Sequence, residues 1–385
     1  MPSNAYAAMM HSMAWPSSAS NTSRAADSSG VSARALTRVA SREVRSPAAP
    51  AAICARPSAI SAWASAASYG GRLRSAPAVA GRLLRDLPAV QAALSGYSDW
   101  PMRVLARRHG ASYVLCEVML DQFLVTLRER KRTSHFLHNT SEESPVAGQL
   151  MGAEPDQFAE GAVKLVEAGF DVIDINFGCP VKKVLGRCRG GFHLSQPDVA
   201  LEIIRRTREV VPDSIPVTVK MRRGIDDSEE SRDHFFEILE GAFEAGLAAA
   251  TIHGRTVKQR YVGPSRWEFL KEVKQTVGDQ VILGSGDLFT AQDCLDMMEQ
   301  TGVDGVTVAR GAIGNPWIFQ QALALMAGEP LPEPPTLWTQ REVISEHYRL
   351  AESLYGEQRC GTLMRKFGIK YSALHPDYEA VRTAF

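Results

Sequence analysis

A closed (β/α)8 barrel, the TIM barrel of the α/β class, followed by a small helical domain is the fold this 385-residue sequence predicts. Three observations predict it. From Pro88 onward, eight apolar segments rich in β-branched residues alternate with amphipathic helical ones. The alternation fills about 240 residues, close to the roughly 250 such a barrel needs. Polar residues then recur at the carboxyl ends of six successive strand segments, the rim where these barrels carry their chemistry. An open doubly wound sheet is the competing architecture, but it usually has fewer strands.

Residues 1–86 are an Ala/Ser/Arg-rich extension without sustained periodicity and are expected to be disordered. They contain ten arginines and no lysine, against Asp27, Glu43 and Asp86. An Arg-rich, Ser-rich, acid-poor tract also has the composition of an organellar transit peptide. It equally reads as a stretch ahead of a later start near Val79. This segment carries ten cations less three acids, or +7, and the whole chain is formally neutral, so the remainder carries −7. Bulk charge therefore announces no nucleic-acid partner, which would need a local patch.

The barrel is expected over residues 87–325. Its strand segments are AVQAAL (89–94), SYVLCEV (112–118), PVAGQLMG (145–152), DVIDINFGC (171–179), PVTVKMRRG (216–224), AATIHGR (249–255), QVILGSGD (280–287) and GVTVARG (305–311). Near-continuous apolar content suits parallel strands buried on both faces. Between them, helical spacing puts Phe158, Ala162, Leu165 and Val166 on one face, and Val199, Ile203 and Ile204 on another. Residues 326–385 begin with a Pro-rich linker and continue with helical periodicity that sets Val343, His347, Leu350 and Leu354 on one side. By its pattern, the last helix is expected to be unfinished at Phe385. Six cysteines (54, 116, 179, 188, 294 and 360) show neither disulfide-framework nor zinc-site spacing, which favours a reducing cytoplasm. No apolar run approaches the roughly 18 to 20 residues of a membrane helix.

The strand DVIDINF ends in Gly178, Cys179 and Pro180. Proline cannot continue a ladder, so the chain leaves the sheet beside a thiol. Cys179 is then either placed for chemistry or is a small buried hydrophobe, and its own surroundings leave both open. The same rim collects Gln149, Asn176, Lys220 with Arg222, His253 with Arg255, Ser285 to Asp287, and Arg310 with Gly311. Glycines in GSGD and ARGAIGNP, after the seventh and eighth strands, fall where barrels build a phosphate site from backbone N–H groups. Lys220 could hold negative charge on a cofactor ring, and Gln149 could bond its edge. FMN satisfies both requirements, having a phosphate and a ring that becomes anionic on reduction. A metal is disfavoured, since His253 has no partner at ligand spacing.

Residues 88–371 resemble the tRNA-dihydrouridine synthases. The motifs that carry the resemblance are ALSGYSDWPMR (93–103), GQLMG (148–152), DINFGCPVKKV (174–184), VTVKMRRG (217–224), HGRTVKQRYVGPSRW (253–267), GSGDLFT (284–290) and ARGAIGNPWIF (309–319), in the family's order. LMRKFGIKY (363–371) resembles part of the family's helical tRNA-binding domain. The resemblance implies reduction of a uracil C5–C6 bond in tRNA with FMN, NADPH serving as reductant. It implies hydride arriving at C6, the Cys179 thiol protonating C5 as general acid, and Asn176 holding the uracil edge. Gln149, Lys220 and His253 would contact the flavin ring. Ser285, Gly286, Asp287, Ala309 and Arg310 would surround ribitol and phosphate, and Ala92, Ala93 and Leu94 would give backbone contacts. Lys182, Lys183, Arg187, Arg189, Arg255 and Arg260 are the candidates for RNA phosphates. No metal, membrane or obligate protein partner is expected. Three positions depart from the family pattern: Ala93 replaces a proline, Ser285 a common asparagine, and His193 a usually apolar residue. Cys188, nine residues after Cys179, is the alternative thiol. Two rival functions remain: an FMN barrel reductase of a free pyrimidine or small alkene, and a degenerate RNA-binding homologue without turnover.

Overall fold

Every one of the eight expected strands forms, and each pairs in parallel with both neighbours. The computed structural model describes residues 88–127 and 133–384; the expected disorder over residues 1–86 falls outside the described residues. In chain order the strands are β1 (Ala89–Gln91), β2 (Tyr113–Leu115), β3 (Met119–Leu120), β4 (Val146–Met151), β5 (Val172–Phe177), β6 (Val217–Arg222), β7 (Ala249–His253), β8 (Ile282–Ser285) and β9 (Gly305–Val308). There are nine segments but eight barrel positions, because β2 and β3 lie along the same neighbour. Leu115 is in register with Ala147, and Met119 with Leu150. The ring closes where β1 pairs with β9 on one side and β2 on the other.

The helices interleave with these strands. They are α1 (Trp100–Arg108), α2 (Asp121–Thr126), α3 (Pro155–Glu167), a short α4 (Lys182–Leu185), α5 (Pro197–Val210), α6 (Glu229–Glu244), α7 (Trp267–Val277), α8 (Ala291–Thr301) and α9 (Trp317–Met326). Proline opens α3 and α5, where a missing N–H costs nothing. Thr290 and Asp293 cap α8 reciprocally. The expected faces are inward, with Phe158, Ala162, Leu165, Ile203 and Ile204 buried and Val166 and Val199 half-buried.

Strand alternation positions the site. Residues such as Ile173, Ile175, Val217 and Val219 pack outward into the layer between strands and helices. A separate cluster, including Val90, Tyr113, Ala147, Val172, Ala249 and Leu283, plugs the barrel's interior. Two or four residues onward along the same inner face, β4, β5 and β8 turn polar: Gln149 follows Ala147, Asp174 and Asn176 follow Val172, and Ser285 follows Leu283. The apolar plug closes the floor, and the polar residues above it form the mouth.

After α9 the chain runs without regular structure to α10 (Leu337–Tyr355), then α11 (Glu357–Tyr371) and α12 (Tyr378–Ala384). The inner face of α10 is Val343, Ile344, His347, Tyr348 and Ala351, while Leu350 and Leu354 are half-buried. The expected stripe was thus rotated slightly, because α10 packs on both α11 and α1. His347 Nδ1 meets the Tyr371 hydroxyl at 3.1 Å. The helical unit is joined to the barrel by Tyr355, whose hydroxyl donates to Asp99 Oδ2 at 3.0 Å, and by Arg108 with Glu346. Gly314 marks the closest backbone approach: its φ is 72°, and a Cβ there would lie 2.5 Å from Tyr371 N.

Candidate active site

At the end of β5 the chain folds back on Asn176. The Asn176 Oδ1 accepts from the N–H groups of Gly178 at 3.0 Å and Cys179 at 3.1 Å, a side-chain turn that lets the strand end before Pro180. Its Nδ2 donates to Gln149 Oε1 at 2.8 Å, and Gln149 Nε2 donates to Asp174 Oδ2 at 2.7 Å. Thr218 Oγ1 donates to the other Asp174 oxygen at 2.6 Å. Three strands are therefore laced together beneath the thiol, and Asp174, although buried, has both oxygens bonded. Burial raises the Asp174 pKa, opposed by Thr218, Gln149 and Lys220.

Cys179 is half-buried. Burial pushes its thiol above the usual value, against the opposing Val181 N–H and the Arg222 cation, so it is protonated at neutral pH. The loop returns directly over it. A Cβ on Gly190 would sit 2.8 Å from Cys179 Cβ, and one on Gly191 would sit 2.7 Å from Val257, so both positions need glycine. Arg222 holds the other side: its Nε donates to Gly178 O at 2.9 Å, and Nη1 donates to Thr256 O and Arg260 O at 2.9 and 2.8 Å.

Lys220 is in register with Asn176 on the neighbouring strand. Burial lowers its pKa to about 8, with Arg222 adding to the effect and Asp174 opposing it. His253, in register with Ser285, is kept neutral by burial and by the surrounding cations Lys220, Arg222, Arg255 and Arg310. Its Nε2 is buried with no hydrogen-bond partner. A buried ring nitrogen left unpaired costs free energy unless a ligand group or water meets it.

Beyond β8 the backbone turns sharply at Gly286 (φ 119°) and Asp287 (φ 59°). Arg255 Nη2 donates to both Asp287 oxygens at 2.7 and 2.6 Å, and Ser265 N donates to Oδ2 at 2.8 Å. These contacts hold an aspartate in a left-handed conformation that side chains rarely adopt. Arg310 approaches the same carboxylate at 3.5 Å and lies over the rings of Tyr261 and Phe289.

One cavity of about 340 Å3 gathers these groups. It is lined by Cys179 and Asn176, by Gln149, Lys220 and His253, and by Ser285, Gly286, Asp287, Ala309 and Arg310, with Ala92, Ala93 and Leu94 at the β1 edge. Cys188 does not line it; that residue is exposed on the loop with φ 52°. Sequence reasoning missed Tyr97, Tyr261 and Phe289, which also line the cavity. All three lie inside or next to the quoted motifs, so their proximity to the rim was the available signal.

Two of the six cations expected to meet phosphate do not reach the surface. Arg255 is 3% exposed and committed to Asp287 and Gly263 O. Arg189 is 9% exposed, donates to Gln122 Oε1 at 3.3 Å and lies 3.9 Å from Asp121. Each meets an acid instead: Asp121, fully buried, for Arg189, and the half-buried Asp287 for Arg255. Lys182, Lys183, Arg187 and Arg260 are exposed and form no ion pair among the described residues. His193, the polar substitute at an apolar position, is buried with its ring against Phe177, and Nε2 meets Gly152 O at 2.9 Å. No cluster of three or more metal-ligating side chains occurs among the described residues.

A parallel barrel whose strand ends converge on a single polar cavity defines the class, a barrel enzyme with its active site at the carboxyl-terminal mouth. The family model for dihydrouridine synthases (Dus) matches residues 90–385. The chain belongs to the dihydrouridine synthase family, and it is accordingly an oxidoreductase. It is 35% identical over 306 residues to a probable tRNA-dihydrouridine synthase of Mycobacterium tuberculosis, covering 77% of each chain. A probable tRNA-dihydrouridine synthase of Rickettsia conorii is 33% identical over 77% of this chain and 87% of its own. The tRNA-dihydrouridine synthase B of Xanthomonas campestris is 31% identical over 76% and 86% respectively.

Proposed function

We propose that this protein reduces the C5–C6 double bond of uridines in tRNA, with FMN as cofactor, NADPH as reductant and Cys179 as general acid. The observation that carries the reading is the placement of Cys179: a protonated thiol at a strand end, opening into the same cavity as Gln149, Lys220 and His253. The cavity's residues fit a flavin mononucleotide. His253 Nε2 lacks a partner, and the N–H groups of Gly286 and Asp287 find no acceptor among the described residues. Lys220, half-buried at the strand end, supplies a cation for the ring, and Arg310 a cation near the phosphate turn. When bound, FMN supplies the hydride for uracil C6 and is replenished by NADPH.

The chain's own residues do the remainder. Asn176 and Gln149, locked by their mutual bond, present fixed amide groups to the uracil edge and the cofactor. The Cys179 thiol holds the proton destined for C5, and the thiolate left behind is met by the Val181 N–H and the field of Arg222. Ala92, Ala93 and Leu94 would offer backbone groups at the β1 edge, and Ser285 and Ala309, which line the same cavity, would meet the ribityl chain. Lys182, Lys183, Arg187 and Arg260 are the surface cations proposed to meet RNA phosphates. The helical unit would add exposed Arg359, Arg365 and Lys370 along α11. A reducing cytoplasm accords with the free thiols of the described cysteines.

Position-resolved mass spectrometry of tRNA from cells with and without this gene tests the proposal. Loss of dihydrouridine at defined positions is expected. Reduction of free uracil with no effect on tRNA would favour the small-substrate reductase instead. Colourless protein that cannot be reconstituted with FMN would favour a non-catalytic RNA binder.

A further inference from the structure

A second cavity, of about 300 Å3, opens beside the first, and Ser95 and Val118 line both. Its floor is polar but satisfied. Asp99 accepts from Met102 N and the Tyr355 hydroxyl, and Arg103 donates to Glu143, Ser98 O and His138 O. One wall is aromatic: Phe123 and Phe136 stand edge to face at 4.8 Å, and His135 lies tilted against Phe136 at 4.1 Å. At the rim, Glu117 accepts the Gly96 N–H through one oxygen, while the other has no hydrogen bond among the described residues. Its size is at the low end of ligand pockets, roughly 300 to 1,000 Å3.

An aromatic wall whose Phe136 ring is exposed for stacking, beside one available carboxylate oxygen, suits a planar heterocycle with N–H donors along its edge. We propose that this cavity is a nucleobase subsite, taking a base that presents an exocyclic amine, guanine foremost. The inference rests on the tRNA-modifying reading above. Guanine's N1–H and N2–H donors match a carboxylate, whereas uracil flanks its single N3–H with two carbonyl oxygens that a carboxylate repels. Single-stranded RNA is read by splaying bases onto aromatic side chains, and successive bases of one strand occupy adjacent sites. A nucleotide next to the target uridine would therefore reach the cavity that shares a wall with the catalytic one. The adenine of NADPH offers related chemistry, so the test separates the two sources.

Once the modified uridine is mapped, transcripts carrying each base in turn at the nucleotides on either side are assayed with wild type, Glu117→Gln and Phe136→Ala. Glutamine keeps an acceptor for Gly96. Wild type is expected to prefer an amine-bearing base over uridine at one flanking position by roughly tenfold in kcat/KM, as a hydrogen bond to a charged acceptor gives. Glu117→Gln should collapse that preference, and Phe136→Ala should lower kcat/KM about tenfold for every base there, as lost stacking does. The KM for NADPH, measured without RNA, should not move. If the variants instead raise that KM and leave the flanking preference intact, the base is the dinucleotide's adenine and the RNA source is overturned. No change in either arm overturns the subsite altogether. Saturation-transfer NMR with 5′-GMP and 5′-UMP on the purified holoprotein needs no turnover. GMP binding that Glu117→Gln abolishes would support the subsite even if no tRNA uridine were reduced, an outcome that would sink the functional reading alone.

Discussion

Asn176 donates through Nδ2 to Gln149 Oε1 at 2.8 Å while its Oδ1 holds the Cys179 N–H at 3.1 Å. One amide thus ties the thiol's backbone to a neighbouring strand, and Gln149 passes the constraint on to Asp174. Asn176→Asp keeps the acceptor for the turn but loses the donor and sets two acceptors against each other. We expect kcat/KM to fall by about 10- to 100-fold, as for a buried hydrogen bond worth roughly 1–3 kcal/mol. Asn176→Ala should cost more, because the turn itself is lost. Steady-state kinetics on a tRNA substrate, with flavin content measured in parallel, checks both.

Cys179→Ala should lower turnover by about 10²- to 10⁴-fold, the range of a lost general acid, without releasing flavin. Cys188→Ala should leave it unchanged, since that thiol is outside the cavity. The acid form is the active one, so kcat should be flat at neutral pH and fall as the thiol ionises. Because burial raises the Cys179 pKa, that fall begins above the ordinary thiol value. A Cys188→Ala enzyme that loses activity while Cys179→Ala keeps it would reverse the assignment.

Salt dependence separates surface cations from buried ones. Replacing Lys182, Lys183, Arg187 or Arg260 with alanine should weaken tRNA binding and reduce the slope of log K against log salt by about 0.7 to 0.9 each. Arg189→Ala and Arg255→Ala should leave that slope alone. Arg189 secures the return of the loop over Cys179, so its loss should lower kcat. Loss of Arg255 leaves half-buried Asp287 without its main partner and should reduce flavin retention and destabilise the fold by roughly 1.5–3 kcal/mol, as for a lost hydrogen bond to a charged group. Binding titrations at several salt concentrations and thermal unfolding read these out.

Asp99, capping α1 and bonded to Tyr355, has its pKa raised to about 6 by burial, against the Tyr355, Met102 and Lys366 contributions. The folded state therefore binds this proton more tightly than the unfolded chain. Its contribution to stability is fully present below pH ~4 and is lost as pH rises through ~6, a change of about 3 kcal/mol at 1.36 kcal/mol per pKa unit. Asp99→Asn should flatten stability between those values, and denaturant titrations at pH 4, 5, 6 and 7 measure it. An unchanged profile would show that the carboxyl is solvated.

The fold was largely legible in the chain. DVIDINF, PVTVKM and QVILG carry the near-continuous apolar content that two-sided burial favours, and a period of two then dictated which of their residues face the barrel's interior. That is why Gln149, Asn176, Lys220, His253 and Ser285 could be assigned to one rim from their positions at strand ends. The break that divides β2 from β3 was not legible, nor was the rotated face of α10, because each depends on what packs against the element.

Sequence by itself determined the barrel, the family and the residue types at its mouth, since strand periodicity is a local property and the motifs are collinear. Tertiary structure alone decided how those residues are used. Arg189 and Arg255 look like surface cations in the sequence, yet each turns inward to an acid 68 or 32 positions away along the chain. The lacing of Thr218, Asp174, Gln149 and Asn176 likewise joins three strands. Charge and hydrogen bonding act through distances of a few ångströms in space, and only folding brings such distant positions that close.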